Sequence, residues 1–203
     1  MIWNEFQKNY SLTDHQLEQF KNYYRLLVRS NKLHNLTALT DERSIIKYHF
    51  EDSLALADAL DINTLTSLAD IGTGAGFPAL PLKIKFPHLN LFLIEVTAKK
   101  REFLAQVSAA LGLSGITLID LDWRTFLRHT TYTIDLFCAR ASLHPDELVR
   151  MFRPSSPYKE AQLVYWAAMS WQPTEDEKIL INREYQYQVG KKERRLIFFT
   201  NLV

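Results

Sequence analysis

Glycine is scarce in this chain, six residues in 203, and cysteine is scarcer, with Cys138 alone. A single cysteine excludes an intrachain disulfide and fits a reducing compartment. No stretch approaches the ~20 apolar residues that a membrane-spanning helix needs. The start, Met1-Ile2-Trp3-Asn4-Glu5, lacks the basic and apolar blocks of a secretory signal, so the expected location is the cytoplasm. Basic and acidic side chains nearly cancel, 24 against 23, for a net charge of +1. No global field marks a nucleic-acid binder, and any such binding must come from local patches. No Cys/His cluster has metal-ligand spacing and no Ser-His-Asp arrangement is legible, so no metal is expected.

What remains is an ordinary globular composition, 47% hydrophobic and 23% charged, long enough for one full domain with a small appended piece. The first 60 residues read as helical. Thr13-Asp14-His15-Gln16 has capping-box form, and Leu17, Phe20, Tyr24, Leu27 and Val28 follow at helical spacing. Asn31–Leu39 reads as a loop, and a second helix starts near Thr40-Asp41 with Ile46, Phe50, Leu54, Ala57 and Leu60 on its apolar positions.

From Leu65 the pattern alternates between strand and helix. Strands are expected over Leu65–Ile71, Leu89–Val96, Ile116–Leu121, Thr133–Ala139 and Gln162–Met169. Helices are expected over Phe77–Phe86, Ala98–Leu111 and His144–Phe152. Strands separated this way imply a parallel sheet covered on both faces. The end differs: Arg183–Val189 and Arg194–Asn201 flank Gly190 and a charged tip, which reads as a hairpin adding one antiparallel pair. That tip reads as solvated surface.

Three of the six glycines crowd into Asp70-Ile71-Gly72-Thr73-Gly74-Ala75-Gly76-Phe77-Pro78, directly after the first expected strand. A glycine turn between strand and helix brings backbone close to a ligand. A dinucleotide fingerprint requires Gly-x-Gly-x-x-Gly, but Phe77 stands at its third glycine position and Gly76 comes one place early. Asp70 also precedes the loop, and a carboxylate there repels a pyrophosphate. It welcomes a cationic amino group instead. S-adenosylmethionine carries such a group, with a sulfonium charge and no phosphate. These details argue against an NAD-dependent oxidoreductase.

Glu95, 23 residues after Gly72, ends the second strand and can accept two ribose hydroxyls, which suits either cofactor. Asp122 and Trp123 follow the third strand. They either flank an adenine or serve as helix cap and core ring. Thr73, Gly74 and Phe77 complete the expected cofactor loop with Gly72, Gly76 and Asp70.

With these residues in hand the chain resembles the glucose-inhibited division protein B family, bacterial methyltransferases that modify N7 of a guanine in 16S rRNA. Asn35-Leu36-Thr37-Ala38 resembles the family's Asn-Leu-Thr-Ala loop. His49-Phe50-Glu51-Asp52-Ser53 resembles its His-Phe-x-Asp-Ser motif, and Asp70–Pro78 its glycine loop. Lys99-Lys100-Arg101 with Phe103-Leu104 resembles its Lys-Arg-x-x-Phe-Leu helix, and Asp135–Ala141 its Phe-Asp-x-x-x-Ala-Arg-Ala strand. The match spans roughly residues 12–150, and the closing hairpin also fits.

The resemblance implies a class I S-adenosylmethionine-dependent methyltransferase fold, a Rossmann-like α/β sheet of seven mostly parallel strands with a C-terminal antiparallel hairpin. Residues 1–62 would form a helical extension packed on the core, and 63–203 the methyltransferase domain. S-adenosyl-L-methionine is the implied donor, 16S rRNA or the small ribosomal subunit the implied partner, and a monomer the implied state. Arg140, ending the fourth strand, is the catalytic candidate and an added cofactor contact, against the alternative that it pairs with a core carboxylate such as Asp52. Asn35, His49, Lys99, Lys100 and Arg101 are the RNA-facing candidates. Cys138 is expected to be a buried small side chain.

The chain also departs from the family. Leu121-Asp122-Trp123-Arg124 replaces a Gly-Arg-Ala-Glu segment, and Arg153-Pro154-Ser155-Ser156 replaces a Lys-Pro-Gly-Gly turn. The Lys-Gly after the fifth strand is absent. These changes raise a second reading, a catalytically weakened relative that binds RNA or assists ribosome assembly.

Overall fold

The computed structural model describes residues 2–201. Helix α1 (Ile2–Asn9) leads into α2 (Asp14–His34). Thr13 caps α2 through a reciprocal box with Gln16, as its sequence predicts. The helix runs four residues into the expected loop and ends on Asn35, which takes the left-handed conformation at φ +48°. Leu17, Phe20 and Leu27 are buried as expected, but Tyr23 rather than Tyr24 is the aromatic that faces the core. Positions 20, 23 and 27 lie on one face by the i, i+3, i+4 rule, and 24 sits at its edge.

Asp41 caps α3 (Glu42–Ile45), which passes into a π-helical turn over Ile46–Glu51 and then α4 (Asp52–Leu54) and α5 (Leu56–Ala59). The sheet begins with β1 (Ser67–Ile71) and continues through α6 (Ala79–Lys85), β2 (Asn90–Ile94), α7 (Ala98–Ala110), β3 (Ile116–Ile119), α8 (Trp123–His129) and β4 (Leu136–Arg140). After α9 (Pro145–Leu148) and a 3-10 turn over Val149–Phe152 come β5 (Gln162–Ala168), α10 (Glu175–Leu180), β6 (Ile181–Val189) and β7 (Lys192–Phe199).

The strand order is β3-β2-β1-β4-β5-β7-β6. The first five are parallel, and β7 runs antiparallel to both β5 and β6. The expected seven-stranded sheet with its closing hairpin is therefore present. Order reverses between β1 and β4, which opens a crevice at their C-terminal ends.

Alternation along the strands sends side chains to two cores. Leu68, Leu136, Cys138 and Phe198 face the core shared with α1, α2, α6 and α7. Ala69, Phe137, Ala139 and Phe199 face the core under α8 and α9. An aromatic column ties the N-terminal helices to the glycine loop: Phe6 meets Phe20 at 5.0 Å, Phe20 meets Phe50 at 5.0 Å, and Phe50 meets Phe77 at 6.0 Å between ring centroids.

Phe50 sits at the centre of that column with no exposed surface. Phe50→Ala is expected to cost about 3–5 kcal/mol. Urea unfolding should stay a single transition, with far-UV circular dichroism and tryptophan fluorescence coinciding, because the helices and sheet share one core.

Candidate active site at the switch point

The loop after β1 is built around Asp70, which lies in register between Leu93 and Cys138. Its carboxylate accepts from Thr73 Oγ1 at 2.7 Å and from Ala79 N at 3.2 Å. Gly72, Gly74 and Gly76 all hold positive φ. A Cβ on Gly72 would stand 2.5 Å from Ser142 Cβ, and one on Gly76 would meet Leu80 Cδ1 at 2.5 Å. Those two glycines let protein approach protein. At Gly74 the space is open, with only Gly72 O as near as 3.9 Å. That is the position where backbone faces a cavity.

Two cavities meet at this loop. One, about 340 Å³, lies between the ends of β1, β2 and β3 and is lined by Gly72, Glu95, Lys100, Asp122, Trp123 and Ser142. The other, about 510 Å³, lies under the N-terminal helices and is lined by the loop, Tyr48, His49, Arg140, Trp166, Lys192 and Arg194 among others. Gly72, Lys100 and Ala141 border both. The cavities are two halves of one cleft.

Glu95 lines the smaller half. One oxygen accepts from Gly74 N at 3.0 Å and the other from Thr97 N at 2.9 Å. Lys100 Nζ lies 3.8 Å from Glu95 and so faces the cleft. Lys99 is exposed beside it.

The larger half is organised by Arg140. Its Nη1 donates to Asp52 Oδ2 at 2.8 Å and to Tyr48 O at 3.2 Å, and its Nη2 donates to His49 Nδ1 at 3.1 Å. A guanidinium only donates, so His49 Nδ1 must be the acceptor. The His49 proton is therefore on Nε2, which donates to Thr37 Oγ1 at 2.6 Å. The imidazole stacks on Phe77 at 4.3 Å, and Tyr23 stacks on the same ring at 5.3 Å. Burial, reinforced by the Arg140 charge, pushes His49 down to about 3. It is neutral and fully engaged.

Several expected site residues have other duties. Asp70 has no exposed surface and does not reach the cleft; it pins the loop from below. Burial pushes its carboxyl up to about 6, with Thr73, Ala79 and Arg140 restraining the rise. Thr73 and Phe77 are largely buried supports that still line the larger half of the cleft. Asp122 caps α8 by accepting from Thr125 N at 3.0 Å, and Trp123 is buried with its indole N–H donating to Glu147 O at 3.0 Å. The cap-and-core alternative is thus the observed one, although both residues still edge the cleft. Arg101 is committed to Asp120 at 2.7 Å and to Glu95 O at 2.9 Å, so it joins the ends of β2 and β3 rather than facing a ligand. Asn35 is an exposed helix cap outside the cleft. Asn31 is the residue that shapes the adjacent loop, gripping Thr37 through two hydrogen bonds of 2.8 and 2.9 Å.

The hairpin tip is not plain surface. The turn is tighter than expected, so Lys192 already belongs to β7 and its ammonium lies 4.5 Å over the Tyr48 ring. Arg194 joins it in the wall. Tyr165, at the middle of β5, and Trp166 next to it toward the C-terminal end complete the wall. The signal for these two was available: ligands meet an open α/β sheet at the strands' C-terminal ends.

A model for the family described as rRNA small subunit methyltransferase G matches residues 16–197. A ribosomal RNA small subunit methyltransferase G from a Geobacillus species is 33% identical over 95% of this chain and 85% of its own length. The chain belongs to the rRNA small subunit methyltransferase G family. Family members from Bacillus velezensis and Exiguobacterium sibiricum are 41% and 46% identical, over 66% and 52% of this chain. Those two alignments span 57% and 44% of the relatives, about half their length. Among solved structures, a human methyltransferase 10 domain containing protein superposes with TM-score 0.60 at 13% identity, over 75% of this chain and 82% of that one. A SAM-dependent methyltransferase from Aquifex aeolicus does so with 0.58 at 16%, over 82% and 97%. The fold is the class I methyltransferase fold.

The histidine and aspartate shifts have opposite signs in stability. His49 binds a proton more weakly folded than unfolded, so its contribution is full above about pH 6.5 and is lost as pH falls toward 3. Asp70 binds a proton more strongly folded, so between about pH 6 and pH 4 it offsets part of that loss. A nuclear magnetic resonance titration should show the His49 ring neutral from pH 8 down to pH 4. A midpoint near 6.5 would contradict the buried geometry.

Proposed function

We propose that this protein transfers a methyl group from S-adenosyl-L-methionine to N7 of a guanine in 16S ribosomal RNA. The observation that carries the reading is the Gly74 face of the loop, open onto a two-part cleft at the switch point of a class I methyltransferase sheet. The residues present suit the donor. Gly72 and Gly74 offer backbone at close range, Glu95 offers a carboxylate at the end of β2, and Asp122 and Trp123 edge the far side. Bound there, S-adenosylmethionine supplies an electrophilic methyl group on a sulfonium.

The chain's own residues then position the acceptor. Guanine N7 carries a lone pair and no proton, so no general base is required. His49 fits that economy, since its Nδ1 is occupied by Arg140. Arg140 has five N–H groups and uses three on Asp52, Tyr48 and His49. Two remain for guanine O6 or a phosphate. Tyr48, Tyr165 and Trp166 give an unstacked base aromatic walls, and Lys100, Lys192 and Arg194 give its backbone positive charge. Cys138 is buried, and burial with the adjacent Asp70 pushes its thiol up, which leaves no attacking thiolate. The weakened-relative reading is not favoured: β5 and β7, within the altered C-terminal third, complete the sheet and line the cleft.

Among the described residues no helix is long and apolar enough to cross a membrane, and no group of three or more His, Cys, Asp or Glu gathers as a metal site. From the family resemblance alone we propose that the protein acts on the small ribosomal subunit in the cytoplasm, as a monomer that needs no metal.

The decisive test is mass-spectrometric mapping of 16S rRNA from cells lacking this protein. Loss of one N7-methylguanine is expected, and an unchanged methylation pattern would refute the assignment. Arg140→Lys keeps the charge but loses the planar fork, and should lower kcat by about 10²-fold, the scale of one preorganised donor. Gly74→Val should abolish calorimetric binding of S-adenosylhomocysteine while circular dichroism stays native.

A further inference from the structure

A separate cavity of about 550 Å³ lies on the sheet face opposite α1 and α2, between α8 and the turn after α9. Its wall carries Arg124, Arg128, Arg150 and Arg153, with Ser155 and Ser156. Among the described residues only Glu147 hydrogen-bonds to these four cations, while Asp122 and Asp146 lie near enough to act on Arg124 and Arg128 by charge. Glu147 accepts from Arg124 Nε at 2.9 Å and Nη2 at 2.8 Å, and from Arg150 Nη2 at 3.0 Å. It holds two guanidinium groups in place without neutralising the cluster. Arg128 Nε donates to Arg124 O at 3.1 Å, and its guanidinium has no carboxylate partner among the described residues. The Arg153 side chain has no hydrogen-bond or ion-pair partner among them, and Arg150 Nε is buried with none.

Four arginines with surplus planar donors and a net positive charge select phosphate, which they can grip bidentately. The wall contains no aromatic ring on which a base or nucleoside could stack. A backbone phosphate, whose base points elsewhere, suits it better than a free nucleotide. The cavity also begins beside the cleft: Arg124 follows Trp123, which edges the cofactor half. Arg128 lies four residues further along α8, about 6 Å at helical rise.

We infer that this arginine cavity is a second anchor for the substrate RNA, binding backbone phosphates outside the active site. The inference rests on the methyltransferase reading. It also gives a use to two segments in which the chain departs from its family pattern, Leu121–Arg124 and Arg153–Ser156.

Arg128 and Arg153 are exposed and make no contacts on which the fold depends, so Arg128→Glu/Arg153→Glu tests the cavity. Fluorescence anisotropy with a full-length 16S rRNA transcript should show affinity falling about tenfold or more, with the salt slope reduced by ~0.7–2. Arg128→Lys/Arg153→Lys should keep the wild-type salt slope, because the charge is retained, and lose only the smaller part of the affinity that the bidentate fork supplies. Calorimetric binding of S-adenosylhomocysteine should be unchanged in both variants. RNA affinity and salt slope equal to wild type in the charge-reversed protein would overturn the proposal. So would binding of inorganic phosphate that charge reversal abolishes while RNA affinity holds, which would identify a free anion as the ligand. The methyltransferase reading fails by a different sign, a wild-type protein that transfers no methyl group to small-subunit rRNA.

Discussion

The pairing of Asp52 with Arg140 holds the two parts of this molecule in register. Asp52 comes from the N-terminal helices, directly after the π-helical turn, and Arg140 ends β4. Both side chains are largely buried, so their attraction must offset a substantial loss of hydration. Extra donors make that possible. Tyr187 Oη donates to the second Asp52 oxygen at 2.7 Å, and Trp166 Nε1 donates to Asp52 O at 2.9 Å. One residue thereby touches β4, β5 and β6. Removing either charge alone would leave the other stranded in a dry setting, a loss of about 3–5 kcal/mol where such pairs are broken. The fully partnered pair is worth less than that loss, and its larger effect is geometric: it fixes where the π-helical turn sits above the sheet.

From that fixed turn the rest of the larger cavity follows. Tyr48 and His49 lie within it, and both contact Arg140. A π-helical turn places successive side chains on a face that a regular helix would rotate away. Here it lets His49 lie flat on Phe77 while Phe50 turns into the aromatic core. Phe77 belongs to the glycine loop, so the ion pair, the stacked rings and the loop form one continuous solid. Pre-organisation of this kind suits the proposed methyl transfer, which needs no proton chemistry and depends mostly on alignment.

The sheet was legible in the sequence because each strand is a short apolar run bounded by a turn residue, and the hairpin because Gly190 separates two β-rich segments. The glycine loop was legible from spacing alone. Side-chain direction was not. Asp70 and Arg140 point to the same face of the sheet, because Asp70 pairs with Cys138 and Arg140 lies two residues beyond it; that one extra pleat brings Arg140 to the cleft while Asp70 stays buried beneath the loop. Arg101 and Lys100 are adjacent in a helix and differ by 100° of rotation, which sends Arg101 to Asp120 and Lys100 to the cleft. Tyr23 displaced Tyr24 for the same reason. Lys192 depends on a fold-back across more than 140 residues to reach Tyr48, a contact that no local pattern encodes.

The near-zero net charge conceals a division that the sheet's reversal of order creates. Strands on the β2 and β3 side end in carboxylates, Glu95, Asp120 and Asp122. Strands on the β4 to β7 side bring Arg140, Lys192 and Arg194 to the same rim. The proposed cationic donor and polyanionic acceptor would therefore meet opposite fields a short distance apart, with the glycine loop between them. Lys100, 3.8 Å from Glu95, is the cation that borders both halves and marks where the two fields meet. Separation lets one small domain attract ligands of opposite sign into contact. It also explains why composition gives no hint of the nucleic-acid partner proposed above: the information lies in where the charges are placed, and the switch point places them.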